Sequence, residues 1–512
     1  MTYSNEQRGS LLNDDVNATI DQGQDVSLAK WTEFRFPPLR LLLFRVAWFL
    51  VPSFLQSRYM REHVRPTKLG PTAYLDGVRG VAALIVSFGH FTRPGYDTHI
   101  GWGVDGGNYQ FMRLPFCRLV YSGGAAVAVF FAISGYVLSY KPIQHIRNGK
   151  WHTFSTELSS MAFRRAIRLY LPTTISTAII ACIMQTGIFE RTQSIENNRT
   201  YFNYNVPFHI RALPSASEEF TRWVDVVTGA FFPFSWDKYE PYQCRLLHLP
   251  RFPLQLHANQ TLGYDGHLWT IPIEFRGSFY LFAVILATAR LQTKYRLLTV
   301  AAIIYYGYIC SKWEFILFLS GIPLVEWDHI RGAHIPPSVL GAKETTPSRS
   351  ALKTIFWHLV SALGLFFLSQ PEEGGETTPD WAYLTSLIPE WWQVEQQRYW
   401  QSAGAVCFLF GVAHSPWWQQ VFTSRIAQYL AKISYSIYLV HGPVHLLICM
   451  PWQKFVWDLT GVEGNAFHVG YVLGVLFSIP MVIMFADIFR RAVDIPTVKF
   501  ARYEAKLSVK VH

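Results

Sequence analysis

Apolar residues are concentrated in ten runs of roughly helix length, separated by polar and charged segments. A bilayer core takes about 20 apolar residues as a helix, and shorter spans fit inside a bundle. The runs lie near 75–92, 120–140, 162–187, 268–288, 296–310, 312–326, 353–370, 400–414, 430–450 and 467–490. The pattern therefore predicts an all-α integral membrane protein, a bundle of about ten transmembrane helices.

Charges between the runs indicate the orientation of this bundle. Lys and Arg crowd 141–168, 290–296 and the C-terminal tail, which all fall on one predicted side, and cytoplasmic loops carry such an excess. The 371–399 loop on the other side holds six acidic residues against Arg398 alone. Both termini are therefore predicted to be cytoplasmic, with the protein in the endoplasmic reticulum or another endomembrane.

Three parts of the chain follow from this layout. Residues 1–74 form a cytosolic tail whose apolar, basic stretch before the first span is predicted to be an in-plane interfacial helix. Residues 75–490 form the transmembrane domain, and 491–512 form a basic cytosolic tail. The long segment 188–267 is a predicted lumenal loop, and two sequons in it, at Asn198 and Asn259, are candidate glycosylation sites.

Composition agrees with a membrane protein, since half of the 512 residues are hydrophobic and only 16% are charged. The net charge of +10 lies in short clusters beside apolar runs, so we expect the lipid bilayer as partner and no nucleic acid. The six cysteines show no CxxC pair and no metal-ligand spacing, so no metal is predicted. Cys117 and Cys244 alone fall in lumenal loops, so any disulfide would join these two.

The first apolar run keeps three polar groups, Asp76, Arg79 and His90. Ionisable residues within a span are costly and normally face a bundle interior or a water-filled cavity. Eleven helical steps separate Arg79 from His90, which places them on nearly the same face and roughly 16 Å apart along the axis. Asp76 suits the helix N-terminus and is positioned to hold Arg79. The structural alternative is an arginine that snorkels to the headgroups and a histidine that ends the helix.

Glu274 lies six residues into the run that starts near 268, at a depth close to that of His90. A carboxylate within hydrogen-bond distance would fix the imidazole tautomer and raise its basicity, which gives a general base for a hydroxyl group. We therefore predict that His90 and Glu274 are catalytic and hydrogen-bonded to each other. The structural alternative pairs Glu274 with Arg276 or Arg79.

Arg165 and Arg168 enter the third run from the cytoplasmic side, three residues apart and so on one helix face. Together with Arg79 they are predicted to form a cationic mouth suited to phosphates. Four further polar side chains are predicted to line the same cavity: Ser134, Tyr136, Tyr438 and His441.

In chain order, these segments resemble the acyltransferase-3 family of multi-pass membrane O-acyltransferases. The matching segments are Asp76-Gly77-Val78-Arg79-Gly80 with the Arg-X10-His spacing to His90, an FF-hydrophobic-SGY helix at 130–136, the Arg-X-X-Arg of Arg165 and Arg168, Leu268 to Glu274, and ISYxxYLxH at 433–441. The sequence departs from the family pattern at Val78, where the family has Leu, and in the long 188–267 segment.

The resemblance implies an acyl-CoA donor, expected to be acetyl-CoA, as a co-substrate with no resident cofactor. It also implies a hydroxyl acceptor, an essential His90, and a donor held by Arg79, Arg165 and Arg168. A lipophilic metabolite such as a terpenoid or polyketide and a surface carbohydrate both remain open as acceptors, as do direct transfer and an acyl-histidine intermediate. A transporter or lipid-handling protein would use the same buried charges, but no inverted repeat is visible.

Overall fold

Each of the ten apolar runs coincides with a helix in the computed structural model, which describes residues 39–53, 55–56, 69–196, 198, 200–202, 211–231, 264–333, 351–392 and 395–509. The helices are α1 (Leu39–Leu50), α2 (Ala73–Thr92), α3 (Gly123–Arg147), α4 (Trp151–Met184), α5 (Ile188–Glu196), α6 (Ala216–Phe231), α7 (Thr270–Thr288), α8 (Thr293–Ile309), α9 (Trp313–Ile330), α10 (Ala351–Leu368), α11 (Ala382–Ser386), α12 (Gln397–His414), α13 (Pro416–Phe422), α14 (Arg425–Val444), α15 (Met450–Thr460), α16 (Gly464–Phe489) and α17 (Ile495–Val509).

Within these residues the fold is helical, and its one β-bridge joins Ile100 to Glu373. Six helical stretches of the described chain are long and apolar enough to cross a membrane. The all-helical class is therefore confirmed, whereas the number of ten spans stays a prediction. Of the proposed lumenal loop, 211–231 is mostly helix α6, and 203–210 and 232–263 lie outside the described residues.

Helix α2 packs very closely against α13 and α14, and glycine makes this possible. A Cβ atom on Gly80 would lie 2.3 Å from the Ala431 nitrogen, and one on Gly77 would lie 1.8 Å from the Phe422 carbonyl oxygen. No side chain fits at either position, since backbone atoms are the neighbours. The two glycines of the opening motif therefore bring the backbone of α2 against α13 and α14.

Helix α3 is apolar on nearly all sides and is buried accordingly. One side packs on α9, where Phe131 stacks on Trp313 with 5.3 Å between ring centroids. Tyr136 lies on this side and donates to an Asp328 carboxylate oxygen at 2.6 Å. Ser134 of α3 faces α7, where it donates to Glu274, which also accepts from Arg165 of α4.

Both segments that the sequence predicts to be cytosolic contain helix. α1 exposes Leu43, Phe44 and Leu50, which suits the interfacial helix predicted for the N-terminal part. At the other end α16 passes through a π-helical turn into α17, which packs against α4. The segment from 491 to Val509 is thus part of the bundle rather than an extended tail.

Candidate active site

A cavity of about 470 Å³ opens between α2, α4, α7, α14 and α17. Its lining is strongly basic, with seven Arg and Lys side chains against three acids. The cations are Arg79, Arg165, Arg168, Arg425, Lys432, Arg490 and Arg502, and the acids are Asp76, Glu274 and Asp494. So many cations around one cavity suit an anionic ligand with several phosphates.

The three arginines predicted to bind the donor all line this cavity, and they differ in their partners. Arg79 is held by Asp76 at 3.1 Å, as the sequence suggested. Arg165 contacts the Glu274 carboxylate at 2.5 Å and donates to Ser278. Arg168 makes no hydrogen bond within the described residues, so its guanidinium is available to a ligand.

The predicted hydrogen bond between His90 and Glu274 is wrong. The Glu274 carboxylate accepts from Ser134 at 3.1 Å and from Arg165, and among the described residues it has no contact with His90. The physical reason is depth: the chain upstream of Glu274 continues into a short 3₁₀ turn, Gly266–Trp269, before α7 begins. This turn brings His267, rather than Glu274, to the level of His90.

Three histidines from three segments meet at that level. The ring centroids of His90 and His267 are 4.1 Å apart, those of His267 and His441 are 4.7 Å apart, and those of His90 and His441 are 5.4 Å apart. One nitrogen from each ring lies within 4.8 Å of the other two. We call His90, His267 and His441 the histidine cluster. Sequence analysis had placed His441 in the cavity wall, but it belongs to this cluster.

Asp265 orients His267 and forms with it a pair that we call the dyad. The Asp265 Oδ1 atom caps the 3₁₀ turn by accepting from the His267 backbone N–H at 2.9 Å, and it also lies 2.6 Å from His267 Nδ1. Burial alone would raise the pKa of Asp265, but the charge and hydrogen bonds of His267 lower it below the usual range. The carboxylate therefore stays ionised and holds the proton of the ring on Nδ1.

Gly442 makes room for the dyad beside α14. A Cβ atom at this position would lie 2.6 Å from His267 Nδ1 and 2.7 Å from Asp265 Oδ2. Any larger residue would displace one partner or the helix. The glycine after His441 is thus a requirement of the site.

A polar partition separates the cavity from the histidine cluster. The Tyr438 hydroxyl accepts from Thr270 at 2.6 Å and donates to the His267 carbonyl oxygen. Tyr438 and Thr270 line the inner end of the cavity, together with Val86. Each of these three residues is three or four positions along the chain from one histidine of the cluster, so the cavity ends roughly one helical turn, about 5 Å, below the cluster.

The remaining predictions have mixed outcomes. Ser134, Asp76 and Tyr438 line the cavity as expected, whereas Tyr136 does not, because its hydroxyl turns away to Asp328. Asn198 is exposed, as a glycosylation site requires. Asn259 and the Cys244 partner of the proposed disulfide lie outside the described residues.

Sequence reasoning missed Asp265 and His267, although an Asp-x-His sequence directly before an apolar run was a visible signal. It also missed the cations from α14 to α17. Arg490 and Arg502 were counted with the basic tail, and no local pattern distinguishes Arg502 from the other basic residues near the C-terminus.

A family model described as an acyltransferase domain, acyltransferase-3, matches residues 72–490. The chain belongs to the acyltransferase-3 family. Its matched region contains every residue of the histidine cluster, the dyad and the partition. The family match ends at Arg490, so α17 lies beyond it.

Three similar proteins come from fungi. The O-acetyltransferase PaAT-1 of Phomopsis amygdali is 29% identical over 463 residues, covering 89% of this chain and 87% of the relative. Acyltransferase R4 of a Phoma species is 25% identical, covering 86% and 97%, and acyltransferase clz18 of Cochliobolus lunatus is 27% identical, covering 84% and 94%. No solved structure matches the chain. The family and these relatives support a transferase rather than a transporter.

Proposed function

We propose that this protein transfers an acyl group, in the first place acetyl, from acyl-CoA to a hydroxyl group of a lipophilic small molecule such as a terpenoid or polyketide. The observation that carries the proposal is one continuous arrangement: a cationic cavity at one end, a partition, and an oriented imidazole at the other.

The donor fits the cavity by charge and by length. Its phosphates would lie against Arg168, which makes no hydrogen bond in the described chain, and against Arg79 and Arg165. Arg79 and His90 are roughly 16 Å apart along α2. An extended pantetheine arm spans such a distance, so the thioester would reach Tyr438 and Thr270.

Acyl transfer then needs a base for the acceptor hydroxyl, and the dyad supplies it. Because Nδ1 of His267 donates to Asp265, the opposite nitrogen Nε2 carries a lone pair. Nε2 takes the hydroxyl proton while the acceptor oxygen attacks the thioester carbonyl carbon. The carbon–sulfur bond breaks, and the imidazolium returns the proton to the leaving CoA thiolate.

His90 has a different role in this scheme. Its ring meets that of His267 edge-on, and its nitrogens make no hydrogen bond within the described residues. A neutral imidazole N–H there can donate to the thioester oxygen as negative charge develops on it. This assignment agrees with an essential His90, as the family resemblance implies.

Orientation and acceptor class belong to the same proposal. Positive loops favour a cytoplasmic mouth for the cavity, with both termini cytoplasmic in an endomembrane.

The histidine end is surrounded by aromatic rings, among them Phe91 and Tyr96, which pack on Tyr471 with ring centroids 5.9 and 4.7 Å from its own. Such walls favour a lipophilic acceptor over a carbohydrate.

The test uses membranes that contain the full chain, labelled acetyl-CoA, and an extract of the host's metabolites. We expect a labelled, alkali-sensitive ester in the organic phase, and its loss in His90→Ala and His267→Ala. Arg290→Ala is the matched control, because Arg290 stacks on Trp151, and neither residue lines the cavity. Label in the carbohydrate fraction would contradict the acceptor class. Absence of any labelled product with acetyl-CoA or longer acyl-CoAs would overturn the donor assignment.

A further inference from the structure

The histidine cluster presents more nitrogen lone pairs than acyl transfer alone requires. In the rings of His267 and His441, Nδ1 donates a hydrogen bond. Nδ1 of His267 faces Asp265, and Nδ1 of His441 lies 3.1 and 2.9 Å from the carbonyl oxygens of Ile437 and Tyr438. Carboxylate and carbonyl oxygens only accept, so both protons sit on Nδ1 and both Nε2 atoms present lone pairs.

One of these lone pairs has no partner among the residues that the structure describes. His441 is completely buried, and its Nε2 atom makes no hydrogen bond within the described part of the chain. An unsatisfied acceptor at such a depth is costly, and native structures rarely keep one without a ligand, an ion or a water. The third ring, His90, also lacks hydrogen bonds within the described residues and is free to turn either nitrogen toward the other two.

We propose that His90, His267 and His441 bind one divalent transition metal ion, zinc foremost, through three imidazole nitrogens, and that the bound metal inhibits acyl transfer. Three neutral imidazoles with an open fourth position form a common zinc site. The acceptors behind the rings are also present, since a metal-bound histidine normally donates its other N–H to a carboxylate or a carbonyl. His267 and His441 do so through Asp265 and through Ile437 and Tyr438.

The geometry needs a small contraction. Zinc–nitrogen bonds of about 2.1 Å place the nitrogens of a tetrahedral site roughly 3.4 Å apart, against at most 4.8 Å here. His90 can supply most of this movement by rotating its side chain, because no hydrogen bond to the described residues holds it.

Inhibition follows from the lone pairs. A metal on Nε2 of His267 occupies the electron pair that the proposed function assigns to the acceptor proton, so bound zinc and catalysis exclude each other. The inhibitory half of the inference rests on the proposed function. The binding half does not, because it depends only on the three imidazole nitrogens and on the oxygens to which the rings donate.

Binding is tested with Co²⁺ as a spectroscopic probe on the purified full chain in detergent. We expect one Co²⁺ per chain, with the visible absorption of a tetrahedral site, displaced by Zn²⁺. His441→Gln should abolish the band, and Asp265→Asn should weaken affinity about 10- to 100-fold. His152→Gln, which removes an exposed histidine on α4, should change nothing. If His441→Gln does not fold, Asp265→Asn and His90→Gln keep the test decisive. Absence of a band, or a band equal in all variants, would overturn the metal site.

Inhibition is tested on the same protein with labelled acetyl-CoA. Stoichiometric Zn²⁺ should abolish transfer, and a chelator should restore it. Zinc that binds without slowing transfer would overturn the inhibitory half alone. So would a metal-free protein that is inactive and gains transfer activity when zinc is added. If no transfer occurs under any condition, the proposed function fails while the Co²⁺ titration still decides whether the metal binds.

Discussion

Asp265→Asn isolates the charge of the dyad from its shape. Both donors of His267 reach the same oxygen, Oδ1, at 2.9 and 2.6 Å, whereas Oδ2 has no partner in the described chain. An asparagine can therefore keep its carbonyl oxygen in the place of Oδ1 and retain both hydrogen bonds. What it loses is the negative charge that, in the proposed mechanism, stabilises the imidazolium formed when the acceptor hydroxyl is deprotonated.

That charge sets the size of the effect. A hydrogen bond to a charged group is worth about 1.5–3 kcal/mol. Since about 1.4 kcal/mol is a factor of ten, kcat should fall about 10- to 150-fold. The KM for acyl-CoA should change less than about twofold, because the cationic cavity ends about one helical turn below the dyad. The assay is steady-state transfer from labelled acetyl-CoA to the acceptor that the extract screen identifies.

The chain offers a matched control for this variant. Asp97 caps the backbone N–H of His99 at 3.1 Å in the same Asp-x-His arrangement, but the His99 ring pairs with Glu372 instead. Asp97→Asn should therefore leave kcat unchanged. A folded Asp265→Asn protein with kcat within about threefold of wild type would refute the role of the dyad.

Four further predictions follow from the structure. Arg168→Ala should raise the KM for acyl-CoA about 10- to 100-fold with kcat recovered at saturating donor, whereas Arg290→Ala should not; a kcat defect that donor does not rescue would contradict the assignment. Arg502→Ala should raise the same KM several-fold, measured in parallel, because α17 forms part of the cavity wall; an unchanged KM would remove α17 from the donor site. Gly442→Ala should lower kcat at least about tenfold, since its Cβ would lie 2.6 Å from a nitrogen of the dyad; unaltered kinetics would show that the helix yields instead. Burial raises the pKa of Glu372, but its histidine and arginine partners lower it overall to about 2. Glu372→Gln should therefore lower the free energy of unfolding by about 2–3 kcal/mol at pH 7. Thermal unfolding should show this difference shrinking as the pH falls from about 4.5 toward 2.

Sequence reasoning succeeded where the physics is local. The spacing of Asp76, Arg79 and His90 on one helix sets their shared face, and the structure keeps both that face and the Asp76–Arg79 ion pair. Apolar runs likewise predicted the helices, because a segment without polar side chains must satisfy its backbone internally in a bilayer. The family motifs were legible for the same reason, since each is contained in one helix.

Comparison between helices required the tertiary structure. Matching Glu274 to His90 assumed that the predicted lumenal ends of two antiparallel helices lie level. Seven residues separate Glu274 from His267, roughly 10 Å on a helix. The 3₁₀ turn before α7 and the close contact of α2 with α14 at Gly80 decided which side chain met the histidine. Arg502 joined the basic cavity for a similar reason, because α17 folds back onto α4. Sequence alone determined which residues share a helix face; packing determined which faces meet and at what depth.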